Sequence, residues 1–259
     1  RGDYQNTDRM HAKVDRALFR LYPDAEINDH WHVQARLQGK WTQKSDTTSD
    51  STVLSYVYAE GKYNNLGLNV GKMPLYSTSD DGMIMDGMFS GAQLTFGKKM
   101  QAIVSAGRQD VTQDGMDLTG ANMQKTTGND TANYQSLQLV YPIGKLTTGA
   151  AYHHFQSANF ANFGGYDKNK KADTADIWTL GGKYVFSKNI AISGYYGENA
   201  KADTYEKAGS VELDYKGASA ANKGSWGAFA AYRHLGQNIA LSPTYDDMWE
   251  GMKGYSFGA

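Results

Sequence analysis

Cysteine is absent from all 259 residues. That excludes a disulfide framework, thiol chemistry and any Cys-based metal site. Proline is scarce, at 4 residues. Pro23, Pro74, Pro142 and Pro243 fall near the ends of patterned segments or between them, where a missing N–H does least harm. Long apolar runs are also missing, and the mean hydropathy is −0.60. A membrane-spanning helix needs about 20 mostly apolar residues, and no such stretch exists. Charge of one sign is not in excess. A net charge of −1 supplies no strong field for nucleic acid, and none is expected as a partner. The opening Arg1-Gly2-Asp3-Tyr4 is not a signal peptide, so the chain reads as mature or as part of something longer.

What is abundant is Gly, at 29 residues, Tyr, at 18, and strict alternation. Trp31 to Trp41 places Val33, Ala35, Leu37 and Gly39 in one row with a Trp at each end. The other row is His32, Gln34, Arg36, Gln38 and Lys40. A strand sends alternate side chains to opposite faces. One face is therefore an apolar strip of membrane-crossing length with aromatics at headgroup level, and the other suits water. A soluble sandwich strand alternates too, but is usually shorter.

The pattern recurs. Met10–Ile27 alternates with a phase slip near Asp15-Arg16, which a β-bulge would produce. Strands are expected at Thr52–Tyr63, Leu66–Lys72, Gly91–Gly97, Met100–Gly107, Tyr134–Tyr141 and Leu146–Phe155. Further strands follow at Ile177–Phe186 and Ile190–Gly197, around Val211–Tyr215 and Trp226–Arg233, and from Gly254. Trp178, Leu180, Gly182, Tyr184 and Phe186 repeat the aromatic-ended row. Connections alternate between tight turns, near 28–30, 64–65, 98–99, 142–145 and 187–189, and longer polar ones. A membrane meander keeps all short turns on one side. The fold class expected is all-β, a transmembrane antiparallel up-and-down β-barrel forming one domain over 1–259. Arg1–Gln5 reads as the tail of a first strand, so the count suggests 16 strands when complete, with part of the first and the last strands missing. Fourteen remains open. A barrel of that size leaves an aqueous lumen.

On this count Pro74–Phe89 follows strand five. It mixes Leu75, Met83, Ile84, Met85, Met88 and Phe89 with Asp80, Asp81 and Asp86, which is too apolar for a free loop. It is expected to fold into the barrel and narrow it. A surface loop covering a neighbour is the other reading.

The chain resembles the porin barrels of diderm Firmicutes, in which an S-layer-homology region and a coiled coil precede a trimeric barrel. The resemblance rests on Met10-His-Ala-Lys-Val-Asp-Arg-Ala-Leu and on Ile27-Asn-Asp-His-Trp-His-Val-Gln-Ala-Arg-Leu. It rests also on Tyr58-Ala-Glu-Gly, on Gly71-Lys72, and on Asp81-Gly through Phe89-Ser-Gly-Ala. It spans nearly the whole chain, and none of its pieces is a catalytic-grade motif. It implies a general-porin-like channel for passive diffusion of ions and small hydrophilic solutes, placed as a homotrimer in a bacterial outer membrane of lipid and lipopolysaccharide. It also implies tethering to peptidoglycan through a region absent from this chain, so an anchoring role is an alternative, as is a solute-selective channel.

Candidate channel residues follow from the rows. Lys13, Arg20, Arg36, Lys40, Lys62, Lys72 and Lys183 are expected on a basic wall, although Lys72 follows Leu66, Leu68 and Val70 in its own row. Asp80, Asp81 and Asp86 are expected opposite, giving a transverse field that orients solutes and biases ion choice. A simpler reading is that each base keeps one face wet. Trp31, Trp41, Trp178, Tyr184, Trp226 and Tyr232 are expected in the aromatic girdles. His30 and His32 straddle a turn, and the adjacent His153 and His154 point to opposite faces. Without an ordered carboxylate or Cys partner they make no metal site. Glu212 and Asp214 share a strand face, as hydrolytic pairs do, yet no nucleophile signature accompanies them. Gly164-Gly165 and Gly181-Gly182 lack phosphate-loop spacing. No enzyme, metal or cofactor is expected.

Overall fold

A computed structural model describes residues 2–7, 10–42, 51–110, 131–219 and 221–259, with the side chains of 2–16, 41–42, 51, 110 and 162 outside the description. The strands are β1 (Gly2–Thr7), β2 (Met10–Leu21), β3 (Asp24–Asn28), β4 (Trp31–Thr42), β5 (Ser51–Tyr63), β6 (Leu66–Tyr76), β7 (Asp86–Phe96) and β8 (Gln101–Asp110). They continue with β9 (Thr131–Ile143), β10 (Leu146–Gln156), β11 (Thr174–Ser187), β12 (Ile190–Asn199), β13 (Lys207–Lys216), β14 (Gly227–Leu235) and β15 (Lys253–Gly258). Each pairs antiparallel with its sequence neighbour, except that β2 and β3 both pair with β4.

β2 and β3 are one strand in two pieces. The same register against β4 runs from Arg16↔Thr42 through Leu21↔Leu37 to Asp24↔Gln34. Pro23 interrupts it only because proline has no N–H; its carbonyl still accepts from the Ala35 N–H at 3.0 Å. The result is an up-and-down sheet of 14 strands in which β6 is the fifth. Among the described residues the edge strands β1 and β15 do not pair with each other, so the sheet is not closed.

The bulge expected at Asp15-Arg16 falls where the ladder to β1 ends, at Asp15, and the ladder to β4 begins, at Arg16. A register shift lies on β5, where Arg36 pairs with Tyr56 but Leu37 with Leu54, leaving Ser55 as the extra residue. The bulge keeps Leu54 and Val57 on the same face despite their odd spacing. Turn chemistry is local. The Asn28 side chain accepts from the His30 and Trp31 N–H groups at 3.0 and 3.1 Å, and Asn64 adopts φ 43° between β5 and β6, a conformation Asn tolerates.

The two faces differ as the alternation requires. One carries Leu137, Leu139, Leu180, Val211 and Leu213, all exposed. Near the long connections this face bears Tyr152, Trp178, Tyr196, Tyr232 and Tyr255, and near the short turns Tyr63, Tyr184, Phe186, Tyr215 and Trp226. Trp178 and Tyr196 lie 5.5 Å apart, Tyr232 and Tyr255 5.0 Å, and Tyr215 and Trp226 5.6 Å. Trp31 lies across Gly61, where a Cβ would stand 2.8 Å from the indole, and its Nε1 donates to the Tyr63 hydroxyl at 2.7 Å. Trp41 falls outside the described side chains.

The other face is polar and small, with Ser105, Ser136, Gln138, Thr179, Ser193 and Ser210 buried on it. Three long connections pack there. They bring Met83, Ile84 and Met85, then Phe160 and Tyr166, then Ile239 and Leu241 onto Tyr134, Phe155, Ile177 and Leu235. This is the core of the molecule, and it makes that face the inner one.

Candidate functional site

The connection after the fifth strand decides what the inner face can do. It is shorter than the expected Pro74–Phe89, because the β6–β7 ladder continues through Pro74↔Met88 to Tyr76↔Asp86. The loop proper is 77–85, with a 3-10 turn at Thr78–Asp80. It crosses to the inner face of β9–β11. Ser79 donates from its N–H and its hydroxyl to Gln138 Oε1, each at 3.3 Å. Its carbonyl lies against Gly149, where a Cβ would stand 1.9 Å away, so only glycine lets the loop lie this close to the wall.

Asp80 fastens the loop. It is fully buried, and its Oδ2 takes hydrogen bonds from His153 Nε2 at 3.1 Å and Thr179 Oγ1 at 3.0 Å. Ser77 Oγ donates to Oδ1, and Tyr134 OH meets His153 Nδ1 at 2.8 Å. Burying a carboxylate is costly unless its oxygens are satisfied; here three side chains satisfy them. Asp80 was expected to face a basic wall. It is turned into the β10–β11 wall instead, because the anchor of an inward loop has to bond what lies beneath it.

Asp86 also departs from the expectation, whereas Asp81 stays on the inner side, lining a recess with Arg233. Asp81 holds φ 55°, and it accepts from Tyr76 OH at 2.6 Å. Asp86 opens β7 rather than sitting in the loop, and Thr244 Oγ1 donates to its Oδ2 at 2.7 Å. The connection between β14 and β15 thus braces the first loop: Ser242 N–H donates to the Ile84 carbonyl at 3.1 Å and Asp86 N–H to the Ser242 carbonyl at 2.7 Å. Sequence reasoning missed this partner. Its one signal was Ile239-Ala240-Leu241, apolar within a long connection.

The basic residues divide by register. Arg20, Arg36 and Lys40 share the inner row of β2 and β4. Arg20 Nε donates to Gln38 Oε1 at 2.8 Å, and the Arg36 guanidinium lies 5.2 Å from the Tyr56 ring centre. Lys62 is on the inner row of β5 and pairs with Glu60 at 3.1 Å. Lys72 is a correction. It pairs with Val57 and follows Val70 and Leu68 in the outer row, since the period of two leaves it no other face. Lys183 is inner, but stands on β11 and is bonded to Asp214 Oδ2 at 2.7 Å, away from Arg36. Lys13 lies on β2, and its side chain falls outside the description. The wall near β4 is also less purely basic than expected: Asp24 meets His32 at 3.2 Å, and Glu60 accepts from Gln34 at 3.1 Å.

Beyond the loop is a recess of about 310 Å³ between the inner rows of β12–β14, Asp81 and the 236–252 connection. Glu212 and Arg233 form its floor, bonded at 2.6 Å. The Tyr245 ring lies 4.1 Å from the guanidinium. Burial pushes the Tyr245 phenol up to about 12, so it is a neutral hydroxyl at neutral pH. Among the described residues no cluster of His, Asp and Glu could hold a metal ion.

No family model matches the chain, and no curated protein does. Solved structures do. OmpF of Salmonella typhi, solved in complex with daunomycin, matches 98% of this chain and 92% of its own at 10% identity with a TM-score of 0.50. A mutant form of the Rhodopseudomonas blastica porin matches 86% of this chain and 75% of its own at 13% identity, also at 0.50. The fold is therefore a porin-like antiparallel barrel sheet.

Proposed function

We propose that the protein is an outer-membrane porin, a water-filled channel for passive diffusion of ions and small hydrophilic solutes. The observation that carries this is the loop 77–85, fastened through Asp80 to His153 and Thr179 on the inner face of a sheet whose outer face is apolar and banded with aromatics. An inner face lined with Arg20, Arg36, Lys40, Lys62, Lys183, Glu60 and Asp214 suits water, and the outer one suits lipid. The loop narrows the space that the inner face encloses. Trimerisation and residence beside lipopolysaccharide accompany this reading. The finer assignment, a barrel of the wall-tethering family of diderm Firmicutes, rests on the sequence resemblance and would make the barrel an anchor as well.

The test is reconstitution into planar bilayers and sugar-loaded liposomes. Stepwise openings and swelling in small sugars are the expected outcome, and replacement of 77–85 by Asn-Gly should raise single-channel conductance. A folded barrel that conducts nothing would sink the porin reading.

A further inference from the structure

The recess beside Arg233 is more than an arm of the channel. Arg233 is 4% exposed in its side chain. Its Nη2 serves Glu212 at 2.6 Å and lies 3.7 Å from Asp247, while its Nε and Nη1 are buried without a hydrogen-bond partner. Leaving such donors unpaired is costly, the more so on a charged group. The guanidinium lies 4.1 Å from the Tyr245 ring and 6.0 Å from the Phe229 ring.

The rest of the lining decides the ligand. Acceptors stand at Asp81 and Glu212, and hydroxyls at Ser193, Ser210 and Thr244. Tyr195 and Phe229 supply apolar ring faces. Asp246 and Asp247 complete an excess of carboxylates over the single Arg, which repels an anion. What uses spare donors, acceptors and ring faces together, without bringing net charge, is a polyol whose hydroxyls both donate and accept while its C–H face packs on an aromatic. At about 310 Å³ the recess sits at the small end of ligand sites, which run from about 300 to 1,000 Å³.

We propose that this recess is a binding subsite for a neutral sugar of one or two rings, held by Arg233, Asp81 and Glu212. The inference rests on the porin reading and names a solute class for it.

The test uses the whole barrel in detergent, with calorimetric titration of glucose, maltose, glucosamine and gluconate. Glucose, glucosamine and gluconate are neutral, cationic and anionic forms of one skeleton. Glucose and maltose should bind and gluconate should not. Arg233→Lys keeps the charge beside Glu212 but loses the two spare donors, and should weaken glucose by about tenfold, equivalent to about 1.4 kcal/mol. Asp81→Asn replaces an acceptor oxygen of the recess with a donor and should weaken glucose severalfold. Should Arg233→Lys fail to fold, as read by circular dichroism, Ser210→Trp fills the recess from the wall and should abolish binding. Glucosamine binding without glucose binding, lost in Asp81→Asn, would make this a cation site and overturn the proposal. So would glucose affinity indifferent to Arg233→Lys or Ser210→Trp. Sugar binding by a barrel silent in bilayers would fell the porin reading alone; open channels without sugar binding would fell the subsite alone.

Discussion

Asp80 and His153 meet at 3.1 Å inside the barrel wall, 73 residues apart in sequence and both fully buried. This contact holds the inward loop down. Asp80→Ala would leave His153, Thr179 and Ser77 without their acceptor, each costing about 1–3 kcal/mol where water cannot enter. The expected outcome is a folded barrel whose loop is cut faster by protease and whose open-channel current is noisier. Unchanged cleavage and noise would show that Gln138 and the apolar cluster suffice.

Leu180 and Leu37 belong to the outer face by register. Leu180 pairs with Ala150 and stands 59% exposed between the Trp178 and Tyr184 bands. Leu37 pairs with Leu21 and Leu54. Arg at either position should cost about 2–4 kcal/mol near the bilayer midplane, read from unfolding in liposomes. Wild-type stability for both variants would move these rows away from lipid.

Arg36 is on the inner row, level with Tyr56, midway along β4. Arg36→Glu changes the local charge by two without touching the outer face. Under a salt gradient the reversal potential should move toward cation preference, more strongly at low salt where screening is weak. No movement would take Arg36 out of the ion path.

Asp167 organises a connection outside the strands. Its carboxylate accepts from the N–H groups of Asn169, Lys171 and Ala172 at 2.8, 2.7 and 2.9 Å. The Lys171 and Asn169 bonds hold its pKa below the ordinary carboxylate value. A depressed folded pKa contributes order that is complete above the ordinary value and is lost as pH falls through the lowered one. The amides of Asn169, Lys171 and Ala172 should therefore lose protection, measured against their intrinsic exchange rates, as pH falls through that value. Asp167→Asn should show that loss of protection at neutral pH, with barrel stability unmoved.

Sequence alone determined the class of fold, because a strand's period of two is strict. Trp31 to Trp41 and Trp178 to Phe186 declare two unlike faces without any neighbour being known, and tight turns such as 28–30 and 64–65 alternate with longer connections as an up-and-down ladder requires. The composition of 77–85 also betrayed its packing, since Met83, Ile84 and Met85 have no use in water. The same period exposed Lys72, whose row-mates Leu68 and Val70 already placed it outward. Where the acids went was decided only by tertiary structure. Whether Asp80 faces the channel or the wall depends on His153 and Thr179, and the bracing of Asp86 depends on Thr244, 158 residues away. Likewise Arg233 acquired its Tyr245 neighbour from the 236–252 connection. A repeating pattern reports which face a residue takes. It carries no information about which distant side chain comes to stand opposite.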